Sequence, residues 1–250
     1  MSYRFNIILT LVLALGVTLS CGLATAQTTN RVDLLWEAET YTPPLYRGHS
    51  AASTKSKVII VADTEFYNSQ GNQISHNDLL FKWEKDGRRI SSVSGAGERQ
   101  MTFTTGAEGL AHQIKVTVTS PNGELLSKET SIPVIEPRLM IYEDKPSTGL
   151  ARHRARTGII NLTRPEITLS AEPFFFSHPD VLGHRVQFSW SLNGEPIILD
   201  QNKPWQVTLI APEGRSGSNE LRLAAKALDK LLQETTAKLS IQFNQPNFDF

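Results

Sequence analysis

The sequence predicts an all-β protein that consists of two similar β-sandwich domains in tandem after an N-terminal signal segment. Three observations support this prediction. One sequence pattern occurs twice at an offset of about 107 residues, apolar and polar residues alternate in several short segments, and Asn-Gly or Asp-Gly pairs separate these segments. A chain of 250 residues is also long enough to bury the cores of two domains of ordinary size.

Residues 1–26 are predicted to be a signal peptide. An apolar run at residues 7–19 follows Arg4, and Ala24-Thr25-Ala26 forms a small-x-small cleavage site. Two alternatives stay open, in which residues 7–19 remain as a membrane anchor or Cys21 carries a lipid. Cleavage predicts a secreted or otherwise extracytoplasmic protein of the cell envelope, whereas the two alternatives predict a protein anchored to the membrane.

Cleavage after Ala26 would remove Cys21, the single cysteine of the chain, and would leave 24 cationic against 25 anionic side chains. An exported protein without cysteine has no disulfide, so its stability depends on well-packed cores. A net charge of −1 is not typical of nucleic-acid-binding proteins, and we expect no nucleic-acid partner.

Residues 36–48 are predicted to form the first strand of the first sandwich, interrupted by Pro43-Pro44. Leu35-Trp36-Glu37 corresponds to Ile141-Tyr142-Glu143 of the second copy at an offset of 106, and proline follows in both copies. Proline is tolerated at the edge of a sheet because its missing N–H need not pair.

The repeat is clearest around two tryptophans. Phe81-Lys82-Trp83 precedes Asp86-Gly87, and Phe188-Ser189-Trp190 precedes Asn193-Gly194 in the same way. Further segments match at nearly the same offset: residues 100–103 with 206–209, 112–116 with 219–223, and 130–134 with 237–241. So many matches near one offset predict tandem domains of one fold.

The repeated segments have the pattern of β-strands. Along residues 186–192, Val, Phe, Trp and Leu alternate with polar residues, which places the apolar side chains on one face of a sheet. The Asn-Gly and Asp-Gly pairs suit type I′ hairpin turns. About seven short strands in about 100 residues, with a central tryptophan in the core, predict an immunoglobulin-like sandwich. We place the domains at residues 31–136 and 137–245, with a C-terminal tail at 246–250.

Residues 220–238 give a conflicting signal. This segment is rich in Ala, Leu, Lys and Glu, and intrinsic propensity alone predicts a helix. Its counterpart in the first copy has the pattern strand–turn–strand, and sheet context overrides propensity. We therefore predict strands near residues 220–227 and 235–243, with a turn near 228–232.

The Phe-x-Trp strand, the Asp-Gly or Asn-Gly turn after it, and the paired final strands resemble tandem bacterial Ig-like domains, including the PKD-like group of secreted and surface proteins. The block from Trp36 to Pro44 is also similar to one in uncharacterised exported bacterial proteins with such repeats. The resemblance covers nearly the whole mature chain. It implies the fold and carries over no functional residue.

The chain contains no pattern typical of a catalytic or metal centre. Its six histidines include no His-x-x-x-His pair, and no Gly-x-Ser-x-Gly elbow occurs. We therefore predict no enzymatic activity and no cofactor. The favoured hypothesis is a non-catalytic exported Ig-like structural, adhesion or assembly module at the bacterial cell envelope. A carbohydrate- or envelope-polymer-binding module is the alternative, and a hydrolase built on a β-sandwich would need histidines and carboxylates to converge.

The expected partner is a protein or glycan at the cell envelope, and contact with a membrane would occur only through an uncleaved N-terminal segment. Two kinds of side chain are candidates for contact with the protein or glycan partner. The first kind is aromatic, namely Tyr41, Tyr46, Phe175 and Trp205. A strand through the run at residues 174–176 must place at least one phenylalanine ring on the opposite face, where it could form a contact surface.

The second kind is cationic, namely Arg152, Arg154 and Arg156. This cluster could contact an acidic polymer or lipid headgroups, whereas the alternative is an ordinary solvated loop early in the second domain.

Overall fold

The computed structural model describes residues 29–212, 214–230 and 232–243. The predicted signal peptide, with residues 7–19 and Cys21, and the tail at 246–250 lie outside the described residues. The N-terminal sandwich contains the strands β1 Arg31–Ala38, β2 Lys57–Glu65, β3 Leu80–Lys85, β4 Arg88–Arg89, β5 Gly95–Ala96, β6 Gln100–Thr104, β7 Ala111–Thr119 and β8 Leu125–Pro133. It also contains two single 3-10 turns, His76–Asp78 and Ser91–Val93.

The C-terminal sandwich contains the strands β9 Arg138–Lys145, β10 Gly149–Leu150, β11 Gly158–Leu162, β12 Glu166–Phe174, β13 Val186–Leu192, β14 Glu195–Pro196, β15 Gln206–Ile210, β16 Gly217–Ala227 and β17 Glu234–Phe243. One short helix, α1 His178–Leu182, lies between β12 and β13. The protein is therefore nearly all β, and the predicted fold class of two tandem immunoglobulin-like sandwiches is confirmed.

Each sandwich consists of two sheets. In the N-terminal sandwich the strand order is β1-β2-β6 in one sheet and β4-β3-β7-β8 in the other, with β5 paired to β3. In the C-terminal sandwich the orders are β10-β9-β12-β15 and β11-β17-β16-β13-β14. Parallel pairing of β11 with β17 covers the edge of the final strand, whereas no strand of the described N-terminal sandwich covers the outer edge of β8.

The two tryptophans of the repeat fill equivalent places in the two cores. Trp83 is 0% exposed and Trp190 is 2% exposed. Each indole N–H donates to a backbone carbonyl, that of Glu98 at 2.7 Å and that of Pro204 at 3.1 Å. A buried indole needs such an acceptor, so the ring contributes its apolar area without an unpaired donor.

The turns after the two tryptophan strands also have the same geometry. The pair Asp86-Gly87 has φ angles of 51° and 75°, and Asn193-Gly194 has φ angles of 51° and 90°. Positive φ at both central residues is the type I′ geometry that the sequence predicts. The Asp86 carboxylate accepts from the N–H of Gln113 at 2.9 Å, and the Asn193 side-chain oxygen accepts from that of Glu220 at 2.8 Å.

The segment with helical propensity is a β-hairpin. Strands β16 and β17 pair in antiparallel register, with Leu221 opposite Leu239 and Leu223 opposite Ala237. The side chains of Leu221, Leu223, Ala225 and Ala227 are buried in alternation with exposed or half-buried neighbours. This period of two outweighs the helical propensity of the segment, and the strand prediction is confirmed.

The prediction for the first strand is wrong beyond Ala38. Strand β1 ends at Ala38 because its partner β2 begins at Lys57, so the ladder has no further backbone to pair with. Residues 39–56, which contain both prolines, leave the sheet. We call them the docking loop.

The register also corrects the alignment of the first strands. In the first copy, Trp36 pairs with Ile60, and Ile60 pairs with Met101 on the next strand. In the second copy, Glu143 pairs with Leu169, and Leu169 pairs with Val207 on the next strand. Because Met101 and Val207 are equivalent in the repeat, the counterpart of Trp36 is Glu143 and not Tyr142. A slip of one residue exchanges the two faces of a strand.

Candidate functional site at the domain junction

The docking loop pairs with the C-terminal sandwich through its backbone. Thr40 and Ser177 form an antiparallel bridge. The N–H of Tyr41 donates to the carbonyl of Phe176 at 2.7 Å, that of Phe175 donates to Tyr41 at 2.7 Å, and that of His178 donates to Glu39 at 3.2 Å. These bonds form a short ladder, so the two sandwiches are joined by sheet-type pairing in addition to the covalent link.

Gln233 connects the docking loop to the C-terminal sandwich through its side chain. It is 0% exposed. Its amide nitrogen donates to the carbonyl of Thr54 at 2.8 Å, and its amide oxygen accepts from the N–H of Ser177 at 3.0 Å. The hydroxyl of Ser53 donates to the carbonyl of Phe175 at 2.5 Å. The side chains of Gln233 and Ser53 are therefore paired across the junction.

An aromatic cluster lies beside this ladder. The ring of Tyr46 meets the rings of Phe174 and Phe175 edge to face, with centroids 5.4 and 6.2 Å apart. All three phenylalanines at 174–176 are buried, and Phe175 is 6% exposed. The expectation that this run presents an exposed ring is wrong, because the docking loop covers the opposite face.

Phe175 has a φ of 64°, which is uncommon for a bulky residue. Its N–H donates to Tyr41 and its carbonyl accepts from Ser53. Both backbone groups are thus held by the docking loop. Strained conformations of this kind persist where the surroundings determine them, so the geometry at Phe175 depends on the docked junction.

Two of the three candidate arginines pair with buried carboxylates. Arg152 contacts Glu172 at 2.7 Å, and Arg156 and Arg164 both bond to Glu143. Burial opposes ionisation of Glu143, but the hydrogen bonds from the two arginines outweigh it and lower the pKa of this carboxyl. Much of the positive charge of the predicted cluster is therefore neutralised within the fold, while Arg154 is exposed.

Three candidate residues come together in one pocket of 370 Å³, which we call the junction pocket. Tyr41 reaches it from the docking loop, and Arg152 and Trp205 reach it from the C-terminal sandwich. The chemistry of the pocket also depends on lining groups outside the predicted set, namely Asp144, Ser170, Glu172, His184 and Phe188. No local pattern marks these residues, since they come from β9, β12, β13 and the loop after α1.

Hydrogen bonds hold the polar groups of the junction pocket in place. The Tyr41 hydroxyl donates to Glu172 at 3.2 Å, and the guanidinium of Arg152 contacts the other carboxylate oxygen. Burial and the Glu172 carboxylate raise the pKa of Tyr41 to about 12, so this hydroxyl keeps its proton at neutral pH. Asp144 accepts from the side chain of Gln206 at 2.8 Å.

The pocket exists in the second copy because its core is less completely covered. Phe188 is half-buried and lines the pocket, whereas its counterpart Phe81 is 1% exposed. The imidazole of His184 stacks on Trp205 with an angle of 14° between the rings and a centroid distance of 6.2 Å. The other four candidates do not line the pocket: Tyr46 and Phe175 belong to the aromatic cluster, and Arg154 and Arg156 lie elsewhere on the second sandwich.

A larger cleft of 750 Å³ lies between the two sandwiches. Its charged lining includes Glu108 and Glu136 on one side and Lys226 and Glu234 on the other, all exposed. The described residues that line this cleft include no aromatic side chain. We regard the junction pocket as the better candidate site, because ligand pockets combine apolar walls with a few fixed polar groups.

Within residues 29–212, 214–230 and 232–243, no group of three or more His, Cys, Asp or Glu side chains could hold a metal ion. In the same described ranges, no helix has the length and apolar character needed to cross a membrane.

No family model matches the chain, and no curated protein matches its sequence. Solved structures do match. The fibronectin(III)-like modules of Clostridium thermocellum CbhA are 15% identical, with 86% of this chain and 97% of that chain covered and a TM-score of 0.29. Murine CEACAM1b is 9% identical, with 85% and 100% covered and a TM-score of 0.29.

The Bacteroides ovatus protein SGBP-B, from a mixed-linkage glucan utilization locus and solved with a heptasaccharide, is 10% identical, with 87% and 71% covered and a TM-score of 0.22. Because these TM-scores are low, the fold assignment depends on the strand pairing described above. Nothing about ligands is carried over from these proteins.

Proposed function

We propose that the chain is a non-catalytic exported Ig-like structural, adhesion or assembly module at the bacterial cell envelope. The observation that carries this proposal is the backbone ladder between the docking loop and residues 175–178. It fixes one sandwich against the other, so surfaces on both domains are held at a constant distance. A module that connects partners depends on such a fixed spacing.

The proposed partner is a protein or glycan of the envelope, with no nucleic acid and no cofactor. We place the domains at residues 31–136 and 137–245, which follow the signal peptide at 1–26. Membrane attachment would occur only through residues 7–19 or a lipid on Cys21.

Expression of the full chain with a C-terminal tag tests this role. We expect the mature protein to begin at Gln27 by mass spectrometry, to fractionate with the cell envelope and to leave purified envelope polymers unaltered. Specific turnover of such a polymer that is lost in a point variant would contradict the proposal, as would a cytosolic location of the full-length protein.

A carbohydrate- or envelope-polymer-binding module is the second candidate function. The specific observation in its favour is the junction pocket, where Tyr41, Arg152 and Trp205 meet although they are far apart in the sequence. Its volume of 370 Å³ lies near the lower end of the range of ligand pockets, roughly 300–1,000 Å³.

A further inference from the structure

We propose that the junction pocket binds one uncharged pyranose ring of an envelope polysaccharide. This inference rests on the second candidate function and names its ligand class. The ligand would contact Trp205 and Phe188 with its C–H face and the polar groups around Glu172 with its hydroxyls.

The walls of the pocket suit the apolar faces of a sugar ring. Trp205 and the His184 ring stacked on it form one wall, and Phe188 and Tyr41 contribute further aromatic surface. Trp205 and Phe188 pack against the core with one side and are only half-buried, so part of each ring faces the pocket. Aromatic side chains offer a large apolar area at little loss of conformational entropy.

The polar lining contains both donors and acceptors. Glu172 and Asp144 accept hydrogen bonds, the guanidinium of Arg152 donates them, and the hydroxyl of Ser170 can do either. Neighbouring hydroxyls of a pyranose need such a mixture, because each hydroxyl donates one bond and accepts others. Charged partners make these bonds stronger than neutral ones.

The charges of the pocket disfavour a polyanion. Glu172 is neutralised by Arg152 and receives the Tyr41 hydroxyl, while Asp144 is bonded by Gln206. The arginine is therefore not available as an unpaired site for phosphate or uronate. Gln206 is a neutral partner, so Asp144 keeps its negative charge, and the mixture of donors and acceptors, not the charge, favours an uncharged polyol over an ammonium group.

The pocket is complete only when the domains are docked. Tyr41 belongs to the docking loop, whereas Arg152, Glu172 and Trp205 belong to the C-terminal sandwich. A ligand that contacts both parts must bind the docked form more tightly than the undocked form. Binding therefore stabilises the junction by mass action.

The test is a titration of the ¹⁵N-labelled mature chain followed by NMR at the tryptophan indole signals. The probes are cello-, malto- and N-acetylglucosamine tetrasaccharides as neutral sugars, tetragalacturonate as an anion, and choline as a cation. One ring of about 12 non-hydrogen atoms corresponds to a Kd of about 1 mM, so titrations extend to roughly 10 mM. We expect at least one neutral sugar to shift the Trp205 signal, while the Trp83 signal in the other sandwich stays unchanged.

Matched variants distinguish sugar binding in the junction pocket from binding elsewhere on the surface. Tyr41→Phe removes the hydroxyl bonded to Glu172 and is expected to weaken sugar binding by about 3- to 10-fold, whereas Tyr46→Phe leaves it unchanged. Trp205→Leu is expected to weaken binding at least about 10-fold, with Trp36→Leu as the control. The indole and amide spectra report whether each variant is folded.

Several results would overturn the inference. They are the absence of a Trp205 shift with every neutral sugar, preferential binding of tetragalacturonate or choline, and an equal effect of Tyr46→Phe and Tyr41→Phe. None of these results contradicts the proposed envelope role, which is tested by fractionation with the envelope. The two proposals can therefore be refuted independently.

Discussion

Replacement of Gln233 by alanine tests the docking of the two sandwiches. The side chain of Gln233 is fully buried and bonds to Thr54 on one side and Ser177 on the other. Alanine leaves a buried carbonyl and a buried N–H without partners. A hydrogen bond contributes about 0.5–1.5 kcal/mol net and an unsatisfied buried group costs about 1–3 kcal/mol, so we expect a loss of about 2–4 kcal/mol.

Urea unfolding followed by tryptophan fluorescence measures this loss. Trp36 and Trp83 lie in the N-terminal sandwich and Trp190 and Trp205 in the C-terminal one, so both domains contribute to the signal. In the parent protein we expect the two domains to unfold together, because the junction couples them. In Gln233→Ala we expect a lower midpoint and either a broader transition or two transitions.

Gln201→Ala is the matched control, since Gln201 is exposed and is expected to change stability by less than about 0.5 kcal/mol. Gln233→Glu is a second variant of the same size, which cannot donate to Thr54 at neutral pH and should be more destabilised at pH 7 than at pH 4. If Gln233→Ala matched Gln201→Ala in midpoint and cooperativity, the coupling through the junction would be refuted.

Three further predictions concern single sites. Burial opposes ionisation of Asp86, but hydrogen bonds from Lys85, His112 and the N–H of Gln113 outweigh it and lower the pKa of Asp86 to about 2. Its ionised form therefore stabilises the fold above pH 4, and this contribution is lost as the pH falls from about 4 to about 2. The stability of Asp86→Asn should therefore depend less on pH over this range than the stability of the parent protein does. An unchanged pH dependence would contradict the assignment. Trp83→Phe is expected to lower the stability by about 2 kcal/mol, measured by thermal unfolding, because it shrinks a buried ring and removes the bond to Glu98. Trp36 is only half-buried, so an equal loss in Trp36→Phe would contradict this prediction. Arg156→Ala leaves Glu143 with Arg164 alone and should cost about 1–3 kcal/mol at pH 7, and the cost should fall as the pH drops through the lowered pKa of Glu143; a cost that does not change with pH would exclude this ion pair as the cause.

Sequence patterns were sufficient for the features that are local or repeated. The alternation around Trp190, the turn at Asn193-Gly194 and the strand pair after Gly217 each follow from spacing within a few residues or from comparison with the other copy. Even a segment with helical propensity was assigned correctly, because the first copy supplied the context that composition lacks.

The junction could not be predicted, because its partners are distant in sequence and have no counterpart in the first copy. Phe175 was predicted to be a contact residue, but the docking loop buries its ring. Arg152 was predicted to contact an acidic partner, but it pairs with the buried carboxylate of Glu172. The first-strand prediction failed for the same reason. Nothing near Pro43-Pro44 indicates that the backbone there pairs with Phe175 and Phe176.

The docking loop also constrains the order in which the protein can assemble. Gln233 and Thr54 are separated by 179 residues, so the bond between them closes one of the longest loops of the chain. The N-terminal sandwich can pair its own strands early, and the docking loop can pair with residues 175–178, but the bond to Thr54 must wait for the last hairpin. Completion of the junction therefore requires the chain as far as Gln233, and a chain truncated before this residue would leave the buried carbonyl of Thr54 without its partner.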